Sequence, residues 1–124
     1  MHSDTLPAKL PLPDALRAAA IPLDHLGVLE VAWTREKALE VVATLEGTTW
    51  AILGGDVLVQ RSGAYWHSYD TWHSDPAPDE LCLDFVPRSH RETRSYIEAS
   101  SDEFAAYVLV FAPCEAGFLI SRDK

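Results

Sequence analysis

The apolar positions of this chain change their spacing several times, and each spacing predicts a different element. Between residues 35 and 46 they recur at helical intervals, with Thr34 suited to cap the start of the helix and Gly47 to end it. A shorter helical pattern covers residues 14–20. A capping-box sequence, serine followed three positions later by glutamate, predicts that another helix begins at Ser89 and runs to about residue 100. The sequence therefore predicts two to three helices.

Apolar and β-branched runs between these helices predict strands. The predicted strands cover residues 26–33, 48–53, 57–60, 64–71, 104–112 and 117–121. Residues 61–63 suit a hairpin turn, residues 74–79 a proline-rich loop, and residues 81–86 either a strand or a buried loop. This mixture predicts an α+β fold, with a mainly antiparallel sheet packed against the helices. Prolines in residues 1–13 predict an extended or flexible arm, and residues 14–124 a single domain.

Acidic residues outnumber basic ones, and they cluster. The chain of 124 residues has 19 Asp and Glu against 10 Lys and Arg, a formal net charge of −9. Residues 62–87 contain acids but no Lys or Arg, whereas Arg88, Arg91 and Arg94 follow at helical spacing. Because phosphate binding needs a basic surface, we expect no direct nucleic-acid ligand, and a basic protein partner fits better. The sequence has no leader and no apolar run long enough to cross a membrane, so the expected location is the cytoplasm.

Two short patterns raise the question of a ligand site. His67, Asp70 and His73 follow an H-x-x-D-x-x-H spacing, and imidazole and carboxylate are ligands of transition metals. In a regular strand, however, His67 and Asp70 point to opposite faces and cannot bind one ion together. Gly54 and Gly55 provide either a structural bend, the favoured interpretation, or a cradle for a small ligand. A small metal-dependent enzyme or a small-ligand binding module therefore stays as the alternative function.

The two cysteines, Cys82 and Cys114, lie beside apolar segments, which is typical of buried structural thiols. A disulfide between them is possible, but nothing in the sequence context supports it. No serine lies in a nucleophile-elbow pattern, and Cys82 is more typical of a buried residue than of a reactive one. The sequence thus offers no support for covalent catalysis, and it predicts no cofactor.

Three segments in a fixed order carry a family resemblance. Residues 51–57 read Ala-Ile-Leu-Gly-Gly-Asp-Val, residues 69–73 read Tyr-Asp-Thr-Trp-His, and residues 95–97 read Ser-Tyr-Ile. With the helix at residues 35–45 they resemble small immunity proteins of bacterial polymorphic toxin systems, over residues 26–111. The resemblance implies a protein that is not an enzyme and that binds a cognate toxin domain, blocking its active site or a nearby site. Many such toxins are basic nucleases, with which the acidic balance is compatible. The resemblance brings no catalytic or metal-binding residue to this chain.

A partner-binding surface is expected where aromatic and acidic residues adjoin. Trp72 is either a half-buried sheet residue or an exposed anchor that fills a pocket of the toxin. The carboxylates around it would pair with lysines or arginines of the toxin. The predicted partner-binding residues are Asp70, Trp72, Asp75, Asp79, Glu80 and Asp84.

Overall fold

The computed structural model of the chain describes residues 6–28 and 30–119. The helices and strands are α1 (Asp14–Ala18), β1 (Ile21–Pro22), β2 (Val31–Thr34), α2 (Arg35–Leu45), β3 (Trp50–Arg61), β4 (Ala64–His73), α3 (Cys82–Glu98), β5 (Ala106–Glu115) and β6 (Phe118–Leu119). A single 3-10 turn, Asp24–Leu26, lies between β1 and β2. This arrangement confirms the predicted α+β class. Within the described residues, no helix is both long and apolar enough to span a lipid bilayer.

The strands form an antiparallel sheet in the order β1-β2-β5-β3-β4, with β6 folded back on the end of β5. Neighbouring residues of a strand point to opposite faces, so the central strand β5 serves two clusters. Tyr107 joins the main core, where Trp33 and the apolar stripe of α2 pack against it. Val108 joins a smaller cluster on the other face, with Leu23 and Leu58. Both faces of the sheet centre are therefore covered.

Two local predictions are confirmed in detail. Thr34 caps α2, and its hydroxyl accepts the Lys37 backbone N–H. Gly47 follows the helix with φ of 85°, a left-handed conformation that glycine adopts without a steric penalty. The turn between β3 and β4 consists of Ser62 and Gly63, with φ of 51° and 81°, as a tight hairpin requires. These features depend on short-range signals.

β3 is one long strand, where the sequence predicted two runs separated by the double glycine. The two glycines allow the adjacent strands, β4 on one side and β5 on the other, to come close to β3. A Cβ on Gly54 would lie 2.1 Å from the backbone oxygen of Trp72, and one on Gly55 would lie 2.0 Å from that of Val108. The structure thus uses both glycines for close packing, and the indole of Trp72 lies 2.6 Å from the Cβ position of Gly55.

The predicted start of the third helix is wrong. α3 begins at Cys82, so residues 82–86 are helical and not a strand, and Pro87 lies inside the helix. The predicted cap, Ser89, is fully buried in mid-helix, where its hydroxyl donates to the Val86 carbonyl oxygen and accepts the Ile52 N–H at 3.0 Å. The Ser89 hydroxyl is therefore the hydrogen-bond partner of a backbone N–H of β3, at a position that lies past the last residue paired with β4. A capping motif is local, whereas this partner is 37 residues away.

The cysteines are not separate thiols. Cys82, at the start of α3, forms a disulfide with Cys114 near the end of β5, with their Cα atoms 6.1 Å apart. The sequence left this pairing without support, because only the fold brings the two ends together. Ala51, Phe85 and Val86 pack around the bond in a small apolar cluster.

The ends of the chain differ in part from the predicted elements. Residues 1–5 of the predicted arm lie outside the described residues, and in the remainder Leu10 and Leu12 are buried in the main core. The strand predicted at residues 26–33 is shorter, because β2 begins only at Val31. The strand predicted at residues 117–121 is represented by β6, and residues 120 and 121 lie outside the described residues.

Candidate protein-binding surface

The loop between β4 and α3, residues 74–81, is held by one arginine of α3; we call it the acidic loop. The guanidinium of Arg88 donates through Nε and Nη2 to the two carboxylate oxygens of Glu80, at 2.8 and 2.7 Å. Nη2 also donates to the Asp75 carbonyl oxygen at 2.6 Å. This two-pronged contact fixes both the carboxylate and the loop backbone, since the guanidinium is planar and rigid.

The same guanidinium connects the acidic loop to the middle of α3. Nη1 of Arg88 donates to Glu92 at 2.7 Å, and the other oxygen of Glu92 accepts the Ser74 hydroxyl, also at 2.7 Å. Ser74 is buried, and its N–H donates to the Leu53 carbonyl oxygen at 2.9 Å. The loop is therefore tied to α3 by side chains and to β3 by its backbone.

These contacts stabilise the charged forms of two carboxylates. The hydrogen bond from Arg88, followed by the one from the Ala77 N–H, lowers the pKa of Glu80 to about 2. The hydrogen bond from the Ser74 hydroxyl, and then that from Arg88, lowers the pKa of Glu92. Glu80, one of the predicted partner-binding residues, is thus already paired within the protein. Its role in the structure is to hold the loop.

Exposed residues on the loop and the first turn of α3 form an acidic-apolar patch. It consists of Asp75, Asp79, Leu81, Leu83 and Asp84. The two leucines are 70% and 60% exposed, and the three carboxylates are exposed as well. Sequence reasoning missed the leucines, because residues 81–86 were interpreted as a strand or buried loop. Helical spacing alone would place Leu81 on the same face as Phe85, four residues later. Leu81 is exposed because it precedes α3 as the N-cap residue, and Leu83 lies on the outer side of the first turn.

Trp72 does not lie on this surface. Its side chain is only 7% exposed, and its indole N–H donates to the Thr93 hydroxyl at 3.2 Å. The ring stacks on Tyr96, with ring centroids 4.7 Å apart. The prediction of Trp72 as an exposed anchor therefore conflicts with its position. The indole of Trp72 fills the space above Gly55 and packs against Tyr96 of α3.

Asp70 is exposed and lies away from the acidic loop, beside a cleft of about 390 Å³. The cleft lies between β3 and the end of α3. Its lining residues are Val57, Val59, Asp70, Tyr96, Ala99, Ser100, Ser101 and Asp102. The structure thus divides the predicted partner-binding residues between the acidic loop, the first turn of α3, the cleft and the core.

The family model for Immunity protein 40 matches residues 22–111, which is most of the chain. The chain belongs to the Immunity protein 40 family. This match confirms the resemblance to small immunity proteins of polymorphic toxin systems. Comparison with curated proteins and with solved structures found no match. The matched residues of this immunity protein include the acidic loop, the cleft and α3 up to its end.

The alternative sites fit this member of the Immunity protein 40 family poorly. Among the described residues, no group of three or more His, Cys, Asp or Glu side chains is placed to hold a metal ion. His67, Asp70 and His73 therefore do not assemble into a ligand set. The space beside Gly54 and Gly55, considered as a ligand cradle, is occupied by the backbone of β4 and β5 and by the indole of Trp72. Family membership indicates an immunity protein.

Proposed function

We propose that the protein neutralises a cognate toxin by binding the toxin domain and covering its active site or a nearby site. The observation that carries this proposal is the family match over residues 22–111. The protein acts by occupancy and carries out no reaction of its own. A net charge of −9 supports a basic toxin domain, of which a nuclease is one example, because opposite fields accelerate association.

The acidic-apolar patch is the surface that we propose for the main contact. Leu81 and Leu83 present apolar area that an interface core can bury, and the neighbouring carboxylates supply a charged rim. Arg88 holds the acidic loop in place before binding, so little conformational entropy is lost when the toxin docks. A rigid apolar centre with an acidic rim suits a basic partner.

We propose the cytoplasm as the place of action, in line with the expectation from the sequence. In a reducing compartment Cys82 and Cys114 would be thiols, because cytosolic disulfides are uncommon. Fractionation of the producing cell, with the redox state of both cysteines measured in each fraction, tests this proposal. Recovery of the oxidised protein from an oxidising compartment alone would contradict it.

The first test is growth rescue. The C-terminal toxin domain encoded by the neighbouring gene is expressed in a host with and without this protein. We expect toxicity that only co-expression relieves, together with a stable complex of the purified proteins. A toxin domain that stays toxic and does not bind the protein would refute the proposed function.

The second test locates the surface by charge reversal. We expect Asp75→Lys/Asp79→Lys to weaken toxin binding by more than about tenfold, mainly through slower association, and to weaken its dependence on salt. The matched control is Glu30→Lys/Glu36→Lys, which changes the net charge equally at two exposed positions outside the patch. An equal loss in the control would show a general effect of charge and would remove the assignment to the patch.

A further inference from the structure

An irregular segment of β4 projects a tyrosine from the edge of the sheet. Between two paired positions β3 has a single residue, Val57, whereas β4 has residues 68–70. Such a bulge re-aims side chains and interrupts the strand pairing. Tyr69 lies in it with φ of 68°, and its side chain is 87% exposed. A bulky residue is rarely found in this left-handed conformation, and such residues cluster at functional sites.

A serine holds this bulge in shape. The Ser68 hydroxyl donates to the Val57 carbonyl oxygen at 2.7 Å and accepts the Asp70 N–H at 3.1 Å. Two backbone groups left without ladder partners by the bulge are thereby satisfied. Tyr69 and Asp70 are consequently presented in a defined geometry.

The cleft beside the bulge combines apolar and acidic groups. Val57 and Val59 line its β3 side, and Tyr96 lines its α3 side. Asp70 and Asp102 place carboxylates along it, and none of its lining residues is a lysine or an arginine. A long side chain with an aliphatic stem and a cationic end matches this lining, since the stem packs on apolar groups and the charge meets the carboxylates.

Among the described residues, a buried hydroxyl without a partner lies on the same face of the sheet as the cleft. Tyr107 is fully buried, and within residues 6–28 and 30–119 its hydroxyl has no hydrogen-bond partner. It lies directly opposite Val57 across the sheet, so both side chains point to the same face. Burial raises the pKa of the neighbouring Tyr96, and interactions with Asp70 and then Tyr107 raise it further. Tyr107 belongs to the main core and is not one of the residues that line the cleft, so its hydroxyl does not count as a ligand contact.

We infer that this cleft receives one lysine or arginine side chain of the toxin, with Tyr69 packing on the toxin surface beside it. The inference rests on the proposed function and adds a second contact, separate from the acidic-apolar patch. The stem of the inserted side chain lies along the two valines, and its cationic end lies between Asp70 and Asp102. The ring of Tyr96 provides an additional favourable surface for a cation. An anionic ligand is disfavoured by the two carboxylates.

Charge-neutralising substitutions test the cleft. We expect Asp70→Asn/Asp102→Asn to weaken toxin binding, measured by titration calorimetry, by about tenfold or more, because the toxin cation loses both of its carboxylate partners. Asparagine keeps an acceptor for the Phe104 N–H, which Asp102 binds at 2.9 Å, so the local turn is preserved. The control Glu30→Gln/Glu36→Gln removes two exposed carboxylates elsewhere and leaves affinity unchanged. Equal losses in both variants would overturn the inference.

A steric variant tests the space within the cleft independently of the charge of its lining residues. Ser101 is exposed at the cleft, so Ser101→Trp fills the opening without changing any charge. We expect it, like Tyr69→Ala, to lose toxin affinity while the circular dichroism spectrum and the thermal midpoint stay unchanged. Unaltered affinity in both variants would overturn the inference.

A charge swap identifies the inserted residue. In the complex, Asp70→Lys should impair binding, and replacing one basic toxin residue by aspartate should restore it. If growth rescue succeeds and no toxin substitution restores binding, the cleft assignment falls and the immunity function stands. If growth rescue itself fails, the proposed function falls. Tight binding of free arginine to the isolated protein, with toxin affinity unchanged in the cleft variants, would assign a small ligand to the cleft and overturn the inference.

Discussion

Trp72 decides whether the segment around it belongs to the core or to the binding surface, and its removal tests this directly. The side chain is 7% exposed, stacked on Tyr96 and hydrogen-bonded to Thr93. Truncating a buried aromatic residue costs about 3–5 kcal/mol, so we expect Trp72→Ala to lower the free energy of unfolding by about 4 kcal/mol. For a chain of this length, that corresponds to a fall in Tm of about 15 °C.

A double-mutant cycle isolates the hydrogen bond within this effect. Trp72→Phe keeps an aromatic ring without the donor, and Thr93→Val keeps the shape without the hydroxyl. Because Thr93 is fully buried, either single variant leaves a polar group without its partner. We expect a coupling energy of about 1 kcal/mol between the two substitutions, measured by urea denaturation followed by circular dichroism.

Toxin binding by the same variants gives the refuting outcome. Affinity is measured at a temperature where each variant is folded and is corrected for the folded fraction. We expect Trp72→Phe to bind within about twofold of the unsubstituted protein, because a core residue contributes no contact area. Unchanged stability together with a loss of affinity above about tenfold would show that Trp72 is a surface anchor, and the burial argument would be refuted.

Three further predictions concern stability and titration. Gly55→Ala places a Cβ 2.0 Å from a backbone oxygen of β5, so we expect a loss of about 3 kcal/mol or more in urea denaturation; a loss below 1 kcal/mol would contradict the close packing. The pKa of Glu80 is lowered to about 2, so its stabilising contribution is present above the ordinary value of 4.5 and is lost as the pH falls through about 2. Carboxyl NMR should give that midpoint, and Arg88→Gln should move it toward 4.5; a midpoint already near 4.5 in the unsubstituted protein would disprove the pairing. The Cys82–Cys114 bond joins residues 32 apart, so reduction should lower the free energy of unfolding by about 3–4 kcal/mol, and a chain whose mass and stability are unchanged by reductant would argue against the bond.

The sequence predicted the elements whose signals lie within a few residues. Thr34 and Gly47 bound α2, and the turn at residues 61–63 joins β3 to β4, because capping and hairpin turns depend on local backbone conformation. The family was also recognisable from short ordered segments, since the match covers residues 22–111. The acidic balance is a property of composition and needs no fold.

The candidate site was predicted only in part. Asp75, Asp79 and Asp84 are exposed, as a contact surface requires, but Glu80 is paired with Arg88. The sequence could not assign that pairing, because several arginines follow the loop at helical spacing and only the docking of α3 selects one. Leu81 was not predicted as a surface residue, because the capping box places the start of the third helix at Ser89, whereas α3 begins at Cys82.

By itself the sequence determined the fold class, the caps of α2, the hairpin and the negative charge, all of which follow from neighbouring residues or from composition. Only the tertiary structure decided that Trp72 is buried, that Cys82 meets Cys114 and that Asp70 borders a cleft. Each of these outcomes depends on residues far apart in the chain. Whether an aromatic residue at a sheet edge is buried is settled by the helix that packs over it, and local periodicity carries no information about that helix.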